Sequence, residues 1–113
     1  MKFTQDEYNT LATAFDCWEN DIDHSAYTAK RKHEIRLGIA SAVKTLNSGK
    51  TDRKDFDFFA IDAIGECLLL LNEFCINPPE EFDKDTVAEF YPTIRSCTIS
   101  LDRKLSLKLS GLL

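Results

Sequence analysis

Between Phe56 and Ile76 the chain is mostly apolar yet carries one polar stripe, Asp62, Glu66 and Glu73, and this stretch restricts the possible folds more than any other. At about 100° per residue the three carboxylates fall on one side of a helix, while Phe59, Ile64, Leu68, Leu71 and Cys75 spread around the rest. A helix with so narrow a polar side must be covered by neighbours over most of its circumference. The expected fold is therefore an all-α bundle with this segment as its spine.

Other features agree with that class. The 113 residues suffice for one hydrophobic core, and a single domain spanning residues 1–113 is expected. A hydrophobic fraction of 43% and a charged fraction of 29% are ordinary for a folded globule and argue against a disordered chain. No apolar run reaches the roughly 18 uncharged residues of a membrane span, and the Met1 to Glu7 segment turns acidic where a secretory leader is apolar. A cytoplasmic location follows as the expectation. Cys17, Cys67, Cys75 and Cys97 sit within helical patterns, with no C-x-x-C pair and no histidine at a zinc-like offset, so they read as reduced core residues. Neither a metal nor a cofactor is expected.

Three further amphipathic segments flank the spine. Thr4 and Glu7 have the spacing of a capping box, which starts a first helix with Tyr8, Leu11, Ala12, Phe15 and Trp18 on its inner face. A second helix over residues 25–47 has a large apolar side (Ile35, Ile39, Ala42, Val43, Leu46) and a small one (Ala26, Ala29, His33, Leu37, Ala40). Two sides predict two neighbours, and hence a central position. Gly49 suits the left-handed residue that closes many helices, and Asn77-Pro78-Pro79 must stop the spine because proline lacks an amide donor. Thr86 and Glu89 repeat the capping-box spacing. From there Val87, Phe90, Tyr91, Ile94, Cys97, Leu101, Leu105, Leu109 and Leu112 share one helical face, with Pro92 on the opposite side. The phase survives the proline, which predicts one long helix kinked at Pro92, or two collinear ones, and a total of four to five helices. A competing hairpin would use the alternation of Ile99, Leu101, Leu105, Leu107 and Leu109, but it leaves Ile94 and Cys97 without a role.

Chemistry-bearing motifs are sparse, so no enzymatic activity is expected. Gly49-Lys50-Thr51 has the ending of a phosphate loop, but the loop's first glycine would fall at Lys44 and no strand precedes it. Glu19, Asp21, Asp23 and His24 are dense in ligand atoms yet lack the glycine and closing glutamate of a calcium loop. His33 is expected to be half-buried and bonded to a neighbouring helix. Lys30, Arg31, Lys32 and Arg36 form a basic patch, although a net charge of -5 counts against nucleic acid as its ligand.

The charge comes in blocks: six acids against Lys2 in residues 1–23, eight bases against two acids in 24–54, nine acids against Lys84 in 57–89. Phe56, Phe58 and Phe59 cannot all face one way on a helix, and Leu69 falls among the carboxylates. Asp62, Glu66, Leu69, Glu73, Phe56 and Phe58 thus form the expected partner-binding surface. The function these observations predict is a non-enzymatic interaction module, of inhibitor, immunity or adaptor type, whose partner is another protein or a second copy in a homodimer. The alternative is a small-ligand or sensor domain with a pocket between helices 2, 3 and 4.

Overall fold

The computed structural model describes residues 2–109 and 111–112. Four α-helices form: α1 (Gln5–Asn20), α2 (Ala29–Asn47), α3 (Phe58–Ile76) and α4 (Lys84–Leu105), with short 3₁₀ turns at His24–Ala26 and Arg53–Asp55. Among the described residues there is no strand, and no helix is long and apolar enough to cross a membrane.

Local chemistry explains the helix starts. Thr4 and Glu7 exchange hydrogen bonds reciprocally, at 3.1 Å from the Glu7 amide to Thr4 Oγ1 and 2.7 Å from the Thr4 amide to Glu7 Oε1. The second helix begins at Ala29, four residues later than its sequence suggests. Asp23 spends its carboxylate on the Ser25 amide and caps the 3₁₀ turn, leaving Thr28 to cap α2 by accepting from the Arg31 amide. Asp57 caps α3 through the Ala60 amide at 2.8 Å, so Phe56 lies just outside the helix. For α4 the cap is Asp83 rather than Thr86, whose hydroxyl donates to the Asp83 carboxylate instead.

α3 occupies the centre. Ala60, Ala63, Ile64, Cys67 and Leu68 are fully buried, and α1, α2 and α4 each pack on a different part of its circumference. The position expected for helix 2 needs correction: α2 is an edge helix that packs principally on α3. Its small-residue face does not find a second neighbour, since Ala29, His33, Leu37 and Ala40 are exposed. The side that admits close approach is Gly38 with Ala42. A Cβ on Gly38 would sit inside the van der Waals envelope of the Phe59 carbonyl oxygen and 2.5 Å from Ala63 Cβ. The two helices run antiparallel, as a ladder of contacts shows: Tyr27 to Glu66, Arg31 to Asp62, Gly38 against Phe59 and Ala63, and Ser41 to Asp57.

The last segment is helical through Leu105, with Pro92 exposed in its interior, so the hairpin alternative fails. Leu109 and Leu112 nevertheless do not belong to the helix. Ser106 and Lys108 take left-handed backbone conformations (φ 52° and 63°) and reverse the chain. Asp102 catches the returning strand of backbone by accepting from the Leu107 amide with its carbonyl and from the Leu109 amide with its carboxylate, at 3.2 and 3.0 Å. Leu109 is thereby buried over Gly65, with 3.7 Å between the leucine methyl and the site of an added Cβ.

Gly38→Ala is expected to destabilise the protein by about 1–3 kcal/mol from overpacking, even though alanine gains about 1 kcal/mol of helix propensity. A urea midpoint equal to that of the parent protein would contradict the close α2–α3 contact. Leu68→Ala, at the fully buried centre of α3, should cost about 2–5 kcal/mol in the same measurement.

Candidate functional site

An apolar groove lies between α1, α3 and α4. One wall is the α1 face of Asp6, Asn9, Thr10 and Thr13, the floor is Leu71, Phe74 and Cys75 of α3, and the far wall is Val87, Phe90, Thr93 and Ile94 of α4. The groove has a volume of about 470 Å³ and opens to solvent along one side. It exists because the side chains facing α4 across the gap are short. The α4 wall carries full-sized apolar groups at helical spacing, but α1 answers with threonine and asparagine, which cannot fill the space. Phe90 is therefore 60% exposed, while Phe74 is held from behind by an edge-to-face contact with Phe82 at 4.8 Å.

At one end of the groove the walls are clasped together. Glu7, 2% exposed, accepts hydrogen bonds from Lys104 Nζ (2.6 Å), Ser100 Oγ (2.6 Å) and the Thr4 amide, and Lys104 also reaches the Lys2 carbonyl. This joins the N-terminal turn of α1 to the C-terminal half of α4, so the two helices run antiparallel and α4 leaves α1 towards Phe90. Burial pushes the Glu7 carboxyl up, but the hydrogen bonds from Lys104, Ser100 and Thr4 outweigh it and hold the group below its ordinary value. A second tie lies one turn beyond Ile94. Asn72, buried in α3, donates to the Leu68 carbonyl and to Thr98 Oγ1 at 2.9 Å, and Thr98 in turn donates to the Ile94 carbonyl. The Asn72 side-chain Oδ1 accepts no hydrogen bond from the described residues.

The expected partner surface on α3 is only partly assembled. Phe58, Asp62, Glu66 and Leu69 do line one shallow cleft of about 350 Å³ with Leu107, Leu109 and Leu112 of the returning tail. Phe58 is the most exposed large apolar side chain there, at 77%. Phe56, in contrast, is buried in the core, because the chain enters α3 from outside the helix and turns this ring inward. Glu73 lies away from the cleft, in a depression with Asp21, Ile22, Leu70 and Phe74. Asp62 and Glu66 are engaged within the fold: Asp62 takes both arms of the Arg31 guanidinium at 2.5 and 3.1 Å, and Glu66 accepts from the Tyr27 hydroxyl at 2.9 Å. Burial, followed by the bond to Glu66, pushes the Tyr27 phenol up to about 12.

Of the basic patch, Lys30 and Arg36 are exposed and Lys32 is half-buried, whereas Arg31 is committed to Asp62 and lies 3.8 Å from Glu34. His33 is exposed, contrary to its expected inward setting. The inward histidine is His24, which stacks on Trp18 at 4.2 Å and donates from Nε2 to the Trp18 carbonyl at 2.6 Å. All four cysteines are free thiols. Burial pushes Cys17 and Cys67 up to about 12 and raises Cys75, so the thiol in the groove floor is a protonated apolar surface at neutral pH rather than a nucleophile.

Comparisons with protein-family models, with curated proteins and with solved structures each return no match. The site is accordingly read from its own geometry. Sequence reasoning placed Val87, Phe90 and Ile94 on one helical face but missed the groove they border. The available signal was the pairing of that face with Thr10 and Thr13.

Because the Glu7 carboxyl is held low in the folded state, its contribution to stability is complete above the ordinary value of 4.5 and is lost as the pH falls through the folded value. Glu7→Gln should lower the urea midpoint at pH 7, and the gap from the parent protein should narrow steadily below about pH 4. A gap independent of pH would show that the clasp draws nothing from the carboxylate charge. Lys104→Met, which strands the buried carboxylate, should cost on the order of 3 kcal/mol at pH 7.

Proposed function

We propose that this protein is a non-enzymatic, cytoplasmic interaction module that seats an apolar segment of another protein in the α1/α3/α4 groove. The observation that carries this reading is the groove itself: a floor of Leu71, Phe74 and Cys75, with Phe90 standing 60% exposed beside it. An apolar side chain of that size left in water favours burial against a partner by about 1.5–3 kcal/mol. Aromatic anchors of this kind in a concave apolar setting dominate protein interfaces. In this reading a bend at Pro92, where the missing amide leaves the Ala88 carbonyl without its helix donor, sets the angle at which the upper half of α4 stands off α1. The Phe58–Leu69 face of α3 is the second contact surface, suited to a homodimer. Inhibitor, immunity and adaptor roles all fit such a module.

A second reading is favoured by the size of the groove. A volume of about 470 Å³ falls within the roughly 300–1,000 Å³ range of small-ligand sites, so an apolar small molecule is the competing occupant. It would lie between helices 1, 3 and 4 rather than 2, 3 and 4.

A photo-crosslinking amino acid at Thr13 or Thr93 separates the readings in the native host. Cross-links to an apolar segment of one protein, abolished by Phe90→Ser and absent from a control at Arg36, are expected. Phe90→Ser itself should leave stability within about 0.5 kcal/mol, because the side chain is mostly exposed. A small molecule retained by the purified protein in native mass spectrometry, with no protein cross-link, would overturn the first reading in favour of the second.

A further inference from the structure

We infer that the segment seated in the groove is a basic amphipathic helix, an inference that rests on the groove being a protein-binding site. Shape comes first. The α1 wall from Asp6 to Thr13 and the α4 wall from Val87 to Ile94 each cover two helical turns, about 10 Å, and the gap between them is floored by one helix. A helix laid there would present apolar side chains at i, i+3 or i+4, and i+7 to Leu71, Phe74 and Phe90, and would pack on three helices at once.

Charge decides the rest. α1 contains four acids and no lysine or arginine. Glu7 is neutralised by Lys104, but Asp6 lines the groove, and Asp6, Asp16 and Glu19 are exposed. Asp16 lies round the helix toward α2, beside Ala12 and Phe15, and adds to the acidic field of α1 without lining the groove. On α4 no charged residue lines the groove, but the segment leading into and along this wall carries Glu80, Glu81, Asp83, Asp85 and Glu89, all exposed, against Lys84 and Arg95, an excess of acid. Among the described residues no lysine or arginine lines the groove. An acidic segment would meet Asp6 within the groove and an excess of acids on the flanking elements, a phosphate-bearing ligand would meet the same, and an uncharged one would leave the field unused. Lysine or arginine on the flanks of an apolar stripe satisfies both the floor and the rims. The outer face of α2, with exposed Leu37 two turns after Lys30 and next to Arg36, has this chemistry in a second copy, so self-association is the rival the experiment must separate.

The test uses two labelled peptides of about 18 residues, roughly 27 Å of helix, with the same leucine stripe and either lysine or glutamate elsewhere. Fluorescence anisotropy on the full chain should show the lysine peptide binding at least about tenfold more tightly, with the preference shrinking between about 0.05 M and about 0.5 M salt. Asp6→Lys/Glu89→Lys should erase the preference, and Phe90→Ser should remove binding of the lysine peptide. Equal binding of both peptides with dependence on Phe90 would overturn the charge assignment while leaving the groove as a protein site. Failure of both peptides, with the fold intact by circular dichroism, would overturn the groove reading as well. Concentration-dependent self-association lost on Phe90→Ser would overturn the inference in favour of a second copy as occupant.

Discussion

Burial of α3 on nearly all sides is the constraint from which the rest of the architecture follows. A helix whose wholly buried positions run from Ala60 to Leu68 needs cover from several directions, and one neighbour supplies only one stripe of it. α2 covers the first third by bringing its backbone against that of α3, which is possible only because Gly38 has no side chain. α1 and α4 cover the remainder with Leu11, Trp18, Leu101 and Leu105, all at or near zero exposure. The polar stripe of α3 is absorbed at the same time. Tyr27, just before α2, and Arg31, in its first turn, place their donors on Glu66 and Asp62, so the antiparallel register of α2 is fixed by hydrogen bonds at one end and by close packing in the middle.

What the sequence disclosed follows from how local each signal is. The Thr4–Glu7 box, the left-handed Gly49 (φ 81°) and the Pro78-Pro79 stop are decided within four residues, and all three stand as read. The spine was legible because its carboxylates and apolar groups separate cleanly at helical periodicity. The buried face of α2 was legible at Ile35, Ile39, Ala42 and Leu46, but its alanine side was given a second neighbour it does not have, because a hydrophobic pattern counts alanine and leucine and gives no weight to glycine, and the close approach is made at Gly38. Leu109 was assigned to α4 because it stands four residues after Leu105, the spacing a helix would give. The reversal that carries it depends on Ser106 and Lys108 in left-handed conformations, which no residue preference announces.

The groove was hidden for a different reason. It is a property of two faces that fail to fill the space between them, and a periodicity analysis of either face alone reports only that Val87, Phe90 and Ile94 are apolar. Partner residues were sought on the charged stripe of α3, where the structure has already spent two of the three carboxylates on Arg31 and Tyr27. Charge in this chain serves internal register first, and the exposed acids of α1 and α4 are what is left over.

The fastenings of α4 are distributed unevenly along its length. Its C-terminal half is held by Glu7 through Lys104 and Ser100, by Asn72 through Thr98, and by Asp102 gripping the tail, whereas Lys84 to Phe90 offers mostly exposed side chains. A helix anchored in this way is built as a cantilever, rooted around Leu101 and free-standing over its first two turns. The width of the cleft beside it can then change with little disturbance to the core, and a guest of somewhat different girth is accommodated by flexing the beam rather than by repacking its foundation.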